Sequence, residues 1–434
     1  MPHGVSDSRE KFRELTRVFD PIYQPRPAAG DDPSYIREIH EDFRRHLDAA
    51  LDLNDLAKLL VAGQPGCGKT TLLLSLADDL RRAGRVVAFV DLEAQTAVQD
   101  LDPVEMYLAA FAELLTEVAR QSIALSEVLR IATRDWLTAC QVDGDPQAPA
   151  DGLATALFGL LRLGRHDPRV RDEVRRLMTP GEANDPCVLL ARTLAELAPR
   201  RPVLILDGLD KLPPARASQT FLDGKRKPMS ELPGAAILTI PLSVVYEPTF
   251  NVLGERYNNA DSAVLPAVRL WDLTPRRFAP DLPHGERQRV ASARGLEILR
   301  RIVRARVDPI DPDIILPEAV DRAIVGSGGN IRELARLVQA SVIKAYVRRG
   351  TFIELQDIEA AIADQRESFR RAYNPLFRPL LTRVRDEYRL DDASDIARQL
   401  LYGLWVTEYR NGSAWYSLPE PVDQLLRQLE RGAS

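Results

Sequence analysis

Cysteine is scarce in this 434-residue chain, with Cys67, Cys140 and Cys187 the whole complement. Three scattered thiols build neither a disulfide framework nor a zinc site, whose ligands come in close pairs. Long apolar runs are also missing. No segment has the roughly 20 residues that a membrane-spanning helix needs, and no signal-peptide core stands at the start. A cytoplasmic protein with no membrane partner is expected. Neither sign of charge dominates: 58 Lys and Arg stand against 63 Asp and Glu, for a net charge of −5. That balance argues against a non-specific coat for nucleic acid and leaves local basic patches open. No internal repeat is visible, nor an Asn/Thr-Lys-x-Asp guanine motif. What remains is an ordinary globular composition, 45% hydrophobic and 28% charged, over a length that calls for more than one domain.

Against that background one stretch stands out, Gly63-Gln64-Pro65-Gly66-Cys67-Gly68-Lys69-Thr70, of the form GxxxxGK[ST]. The apolar run Leu59–Ala62 before it suits a buried strand, and the run from Thr71 to Ala77 suits the first turns of a buried helix. Such a loop turns its N–H groups towards phosphates and sets the positive end of the helix behind them. Glycines at 63, 66 and 68 let the backbone approach the ligand in conformations that a Cβ resists. Lys69 offers a point charge to the β- and γ-phosphates, and the Thr70 hydroxyl offers a ligand to Mg²⁺. Residues Gly63 to Thr71 are thus expected to bind a nucleoside triphosphate, with Cys67 a small filler.

Val203-Leu204-Ile205-Leu206-Asp207 has the form of a Walker B strand, apolar and ending in a carboxylate. Asp207 is expected to hold Mg²⁺ at the C-terminal edge of a parallel sheet. Further strands are expected at Val86–Asp91, at Ala235–Ile240 and at Pro266–Trp271. Ile36, Ile39, Phe43 and Leu47 recur at helical spacing ahead of the first strand, and residues 1–33 read as a loose, proline-bearing lead-in. About a hundred residues between the second strand and Asp207 read mostly as helix (Val104–Ala119, Ser126–Leu137, Leu153–Leu163, Val188–Leu197). They exceed a single crossover and form an insertion, to which no chemistry is assigned. Residues 285–306 read as an Arg-rich amphipathic helix, followed by helices at Leu316–Ala323, Ile331–Arg348 and Leu355–Arg370. The last portion offers two helical runs, then alternating residues on both sides of Asn411-Gly412, a dipeptide favoured in tight hairpins.

The expected fold is therefore α/β: a P-loop NTPase parallel sheet with a helical insertion, an all-helical lid and a C-terminal winged-helix-like domain. The expected bounds are 1–50 for the tail and lead-in helix, 51–275 for the core with its insertion at about 102–200, 276–372 for the lid and 373–434 for the winged-helix-like domain.

The order of these motifs, with Gly328-Gly329-Asn330-Ile331-Arg332-Glu333-Leu334 and Phe352–Ile362 after them, resembles AAA+ and STAND-type P-loop ATPases over roughly residues 50–370. The tail adds the layout of origin-recognition and STAND ATPases, and the long insertion looks like ATPases of bacterial conflict systems. The resemblance implies ATP with Mg²⁺, Arg332 as a sensor of the γ-phosphate, and Lys69, Asp207 and Asp210 in the catalytic machinery. Where AAA+ chains usually continue Walker B with Asp-Glu, this one reads Asp207-Gly208-Leu209-Asp210. Asp210 is the first candidate for the base and Glu93 the second. Arg256, Arg276 and Arg277 are candidate arginine fingers, and Thr239 or Ser243 a candidate sensor in the third strand.

The resemblance implies an ATP-hydrolysing molecular switch that meets a protein partner or its own copies through the insertion or the tail. A DNA-loading ATPase and a non-catalytic ATP-dependent scaffold are the alternatives. DNA finds limited support in the residues: Lys225-Arg226-Lys227 reads as a solvated loop, and Asp391, Asp392, Asp395, Glu420 and Asp423 of the tail would repel phosphate. Trp405, Trp415 and Tyr416 read as core or partner contacts.

Overall fold

A computed structural model describes residues 3–21, 35–97, 100–139, 150–177, 186–212, 217, 232–248, 250, 255–275, 287–390, 394–411 and 413–431. Its contacts divide the chain into two compact units. One comprises Met1–Glu41, Gly63–Thr71 and Leu265–Ser434, and the other Asp42–Ala62 and Leu72–Val264. In chain order the elements up to the sheet are helices α1 (His3–Val18) and α2 (Glu41–Leu53), strand β1 (Lys58–Ala62), helix α3 (Lys69–Arg82) and strand β2 (Val87–Asp91). Helices α4 (Pro103–Arg120), α5 (Glu127–Ala139), α6 (Ala150–His166), α7 (Pro168–Leu177) and α8 (Pro186–Glu196) follow, then strands β3 (Val203–Asp207) and β4 (Ala235–Ile240).

The second unit is built on these four strands, all parallel, in the order β1-β4-β3-β2. Every residue of β1, β3 and β4 is buried, which is why these strands read as continuous apolar runs and not as alternating ones. One face carries α2 and α3, whose Leu47, Leu51, Leu73 and Leu76 pack on Leu59, Val61 and Ile205. The Arg44–Asp79 ion pair, at 2.6 Å, ties α2 to α3. Helix α4 lies on β2 and β3 and is covered in turn by α6 and α8. Being sandwiched, it buries Met106 to Ala112 without a break. The expected insertion is thus a layer of helices on the sheet, with α7 an addition to the helices read from sequence.

A strand expected at 266–271 does not form there. A single parallel bridge between Ala62 and Val264 extends the sheet beyond β1, and the next strands, β5 (Trp271–Pro275) and β6 (Arg287–Ala291), make a separate antiparallel ladder in the first unit. β6 corrects the helix expected over 285–306, which begins only at α9 (Ala293–Val307), after Ser292 caps it by accepting from the Gly295 N–H. Arg276, Arg277, Lys225-Arg226-Lys227, Cys140, Gly412, Asp391 and Asp392 lie outside the described residues.

The rest of the first unit consists of helices α10 (Pro317–Ser327), α11 (Ile331–Val347), α12 (Leu355–Ala372), α13 (Arg378–Glu387) and α14 (Asp395–Tyr402), the antiparallel strands β7 (Thr407–Asn411) and β8 (Ser413–Ser417), and helix α15 (Glu420–Arg431). Residues 3–21 do not form the loose lead-in expected of them. Helix α1 buries Phe12 and Leu15, and Phe19 just beyond it, in one core with Leu299, Leu334 and Val338. Gln339 reaches the Thr16 carbonyl at 3.0 Å. Each such apolar side chain is worth about 1.5–3 kcal/mol on burial. At the other end, α15 packs on α12 and α10, where Arg322 bridges Glu359 and Glu420. Trp405 sits edge-on to Phe369 and Phe377, while Trp415 stacks on Tyr409, so these two, like the buried Tyr416, are core residues.

Candidate functional site

The phosphate loop follows directly on Ala62, the last residue of β1, and leads into α3 at Lys69. Gly66 and Gly68 have φ of +84° and +102°, the left-handed region where L side chains are strained. A methyl group on Gly66 would overlap Arg332 Cβ and stand 2.6 Å from Asn330 Oδ1. The loop therefore needs glycine there both for its own turn and for what is packed on it. Lys69 is buried, and its ammonium donates to the carbonyls of Gly63 at 2.8 Å and Gln64 at 3.2 Å. Thr70 is half-buried in the first turn of α3, and Cys67 is fully buried.

Three parts of the first unit hold this loop, two by its backbone and one by a side chain. From the turn before α2, His40 Nε2 donates to the Cys67 carbonyl at 2.7 Å. Desolvation brings the imidazole pKa down to about 4, against a smaller opposing push from that hydrogen bond. From the lid, Asn330 Nδ2 donates to the Pro65 carbonyl at 2.8 Å, and the Arg332 N–H meets the Gly66 carbonyl at 3.3 Å. From the tail, the backbone around Leu401–Glu408 meets the carboxamide of Gln64. The start of α11 can reach the loop because α10 ends in Gly328 and Gly329, at φ +58° and +81°, and Asn330 then caps α11. A Cβ on Gly329 would run into the Val268 carbonyl oxygen. Arg332, in the first turn of α11, is exposed, and among the described residues its guanidinium makes no ion pair; Glu333 pairs with Arg336 instead.

In the second unit, Asp207 is buried at the end of β3, in register with Asp91 at the end of β2. Gly208, at φ +96°, turns the chain into a short 3-10 turn, Leu209–Lys211, that carries a half-buried Asp210. Thr239 is fully buried; its hydroxyl accepts from the Leu209 N–H at 3.1 Å and donates to the Leu206 carbonyl at 3.4 Å. That hydroxyl is thus committed to holding the turn after Asp207. Glu93 is exposed and ion-paired with Lys211, and Arg256 is exposed. The sequence reading did not single out His40, nor the contacts of Gln64 and Asn330. A lone histidine carries no motif, whereas an Asn ahead of a helical run is a recognisable N-cap signal.

Residues 34–223 match the family model described as an AAA ATPase domain. No match was found among curated proteins. Solved structures similar to this chain include Cdc6p from Pyrobaculum aerophilum, at 13% identity and a TM-score of 0.38, covering 96% of this chain and 98% of that one. The Aeropyrum pernix ORC2 protein, in ADPNP-ADP complexes, follows at 13% identity, a TM-score of 0.37 and the same coverages. The Aeropyrum pernix ORC1 protein in complex with DNA matches at 14% identity and a TM-score of 0.35, covering 94% and 97%. Likeness this distant does not carry over what those molecules bind.

Proposed function

We propose that residues 34–223, which match an AAA ATPase domain, act as one, and that the chain is an ATP-hydrolysing molecular switch whose lid and tail respond to the nucleotide. The observation that carries this reading is the shape of the phosphate loop, with left-handed glycines at 66 and 68 and the first turn of the lid helix on its backbone. Residues Gly63 to Thr71 would hold the phosphates, with Lys69 trading its carbonyl partners for phosphate oxygens. Thr70 and Asp207 offer the hard oxygen donors that suit Mg²⁺, which when bound would offset charge on the phosphates. Arg332, exposed and without an ion pair among the described residues, is available to the γ-phosphate, and that contact would make the lid sensitive to which nucleotide is present. Asp210, on the short turn that follows Asp207, remains the first proposed base and Glu93 the second.

Burial of Trp405, Trp415 and Tyr416 removes them as stacking platforms for bases, which favours a protein partner or a second copy of the chain over DNA. A role in a bacterial conflict system is the proposed setting. The test is steady-state ATP hydrolysis by the full chain and by Asp207→Asn. The carboxylate holds the metal while the loop supplies most of the affinity, so turnover should drop about a hundredfold or more with ATP affinity kept within about tenfold. Wild-type turnover in the variant would show that the strand ending in Asp207 has no part in the reaction, and no turnover in the wild type would leave a nucleotide-dependent scaffold.

A further inference from the structure

The loop pattern leaves its second position free in residue type, yet Gln64 is only 2% exposed and its whole carboxamide is engaged by the tail. Nε2 donates to the Leu401 carbonyl at 3.0 Å and to the Val406 carbonyl at 2.6 Å, and Oε1 accepts from the Glu408 N–H at 3.0 Å. Leu401 lies in the last turn of α14, and Val406 and Glu408 lie where the chain enters β7. One side chain of the phosphate loop thus ties off the corner between a tail helix and the tail hairpin. Separating them would leave buried amide groups without partners, so the loop and the corner are held as one piece.

The main chain of Gln64 is engaged at the same time. Its carbonyl accepts from Lys69 Nζ at 3.2 Å and from the Cys67 N–H at 3.2 Å. The ammonium that is to meet a phosphate therefore rests on the peptide that carries the tail contact. An anionic acceptor is a stronger partner for an ammonium than a neutral carbonyl. Drawing Lys69 to phosphate removes one of the two donors on the Gln64 carbonyl, leaving the Cys67 N–H, and a peptide so freed to shift would loosen the side chain's grip on Leu401, Val406 and Glu408. We propose that Gln64 is the positioning residue that couples nucleotide at the loop to the order of the tail corner. This rests on the reading that the loop binds ATP. By linkage, any partner that captures the released corner raises the affinity of the loop for ATP by the same factor that ATP raises capture of the corner.

Hydrogen exchange on the full chain, with ATP binding measured in parallel, tests the coupling. In the wild type, ATP should speed exchange of the segment carrying the Glu408 amide by about tenfold or more. Gln64→Met keeps the length of the side chain and removes all three hydrogen bonds. It should exchange fast at Glu408 without nucleotide and change less than about twofold on adding ATP. Gln64→Glu sets a carboxylate against two carbonyls and should likewise release the corner, which supplies a second variant if the first fails to fold. Exchange in α4 serves as the check that either variant is folded. Absence of ATP binding in the wild type overturns the reading on which the inference rests. ATP binding with no change at Glu408, or an undiminished ATP response in a folded Gln64 variant, overturns the coupling itself.

Discussion

The side-chain amide of Asn330 reaches the Pro65 carbonyl at 2.8 Å, so the residue that caps the lid helix also holds the backbone of the phosphate loop. Its oxygen accepts from the N–H groups of Arg332 and Glu333 at 3.0 and 3.1 Å. Two substitutions separate these duties. Asn330→Ala loses both and should cost about 1–2 kcal/mol of stability, the usual worth of an N-cap. Asn330→Asp keeps the acceptor for the helix but sets a carboxylate oxygen against the Pro65 carbonyl, so it should lose less stability than Asn330→Ala while ATP affinity changes. Thermal unfolding and nucleotide titration of the two variants check this; equal losses of stability in both would contradict it.

His40 gives the loop a pH dependence. Its folded pKa, about 4, lies below the ordinary 6.5 of an unfolded chain. Below pH 6.5 the unfolded chain takes up a proton that the folded chain refuses until about pH 4. The stability owed to this residue is therefore complete above pH 6.5 and is lost as pH falls towards 4. His40 is half-buried as a residue, and a shift of this size corresponds to at most roughly 3 kcal/mol. His40→Gln should flatten this part of the stability profile between pH 7 and 4.5. A variant with the slope of the wild type would assign it to other groups.

Much of this architecture was legible because it is local. The strand, glycine loop and helix of 59–77 announce themselves within twenty residues, and β3 shows as a continuous apolar run because both its faces are covered. What stayed hidden depends on distant partners. Phe12, Leu15 and Phe19 sit among charges and gain meaning only against Leu299 and Val338. Arg287–Ala291 stands next to a true helix, and five residues are too few for a period to separate strand from helix without the partner strand β5. Helix α15 was passed over after Pro419 and Pro421, although proline is well tolerated in a first helical turn. At the site, the glycines, Lys69 and Thr70 were readable from spacing. The contact of Gln64 with residues more than 330 positions away was not.

The proposed sensor of the γ-phosphate is Arg332. It stands exposed at the start of α11, with no ion pair among the described residues. Arg332→Ala should bind ATP and ADP with more nearly equal affinity, because only ATP offers the γ-phosphate that a guanidinium can bridge. Titrations of both nucleotides against wild type and variant measure this. An unchanged ratio of the two affinities would make Arg332 a surface residue.

Lys69 carries the central claim, that this chain is an ATP-binding switch. The most direct measurement is ATP affinity of the full-length protein and of Lys69→Ala in the presence of Mg²⁺, with thermal unfolding recorded alongside. The wild type should bind ATP, and the variant, folded as before, should lose binding by about a hundredfold or more, since the ammonium is the one charge the loop itself offers to phosphate. Equal ATP affinity in the two proteins, or none in the wild type, would contradict it.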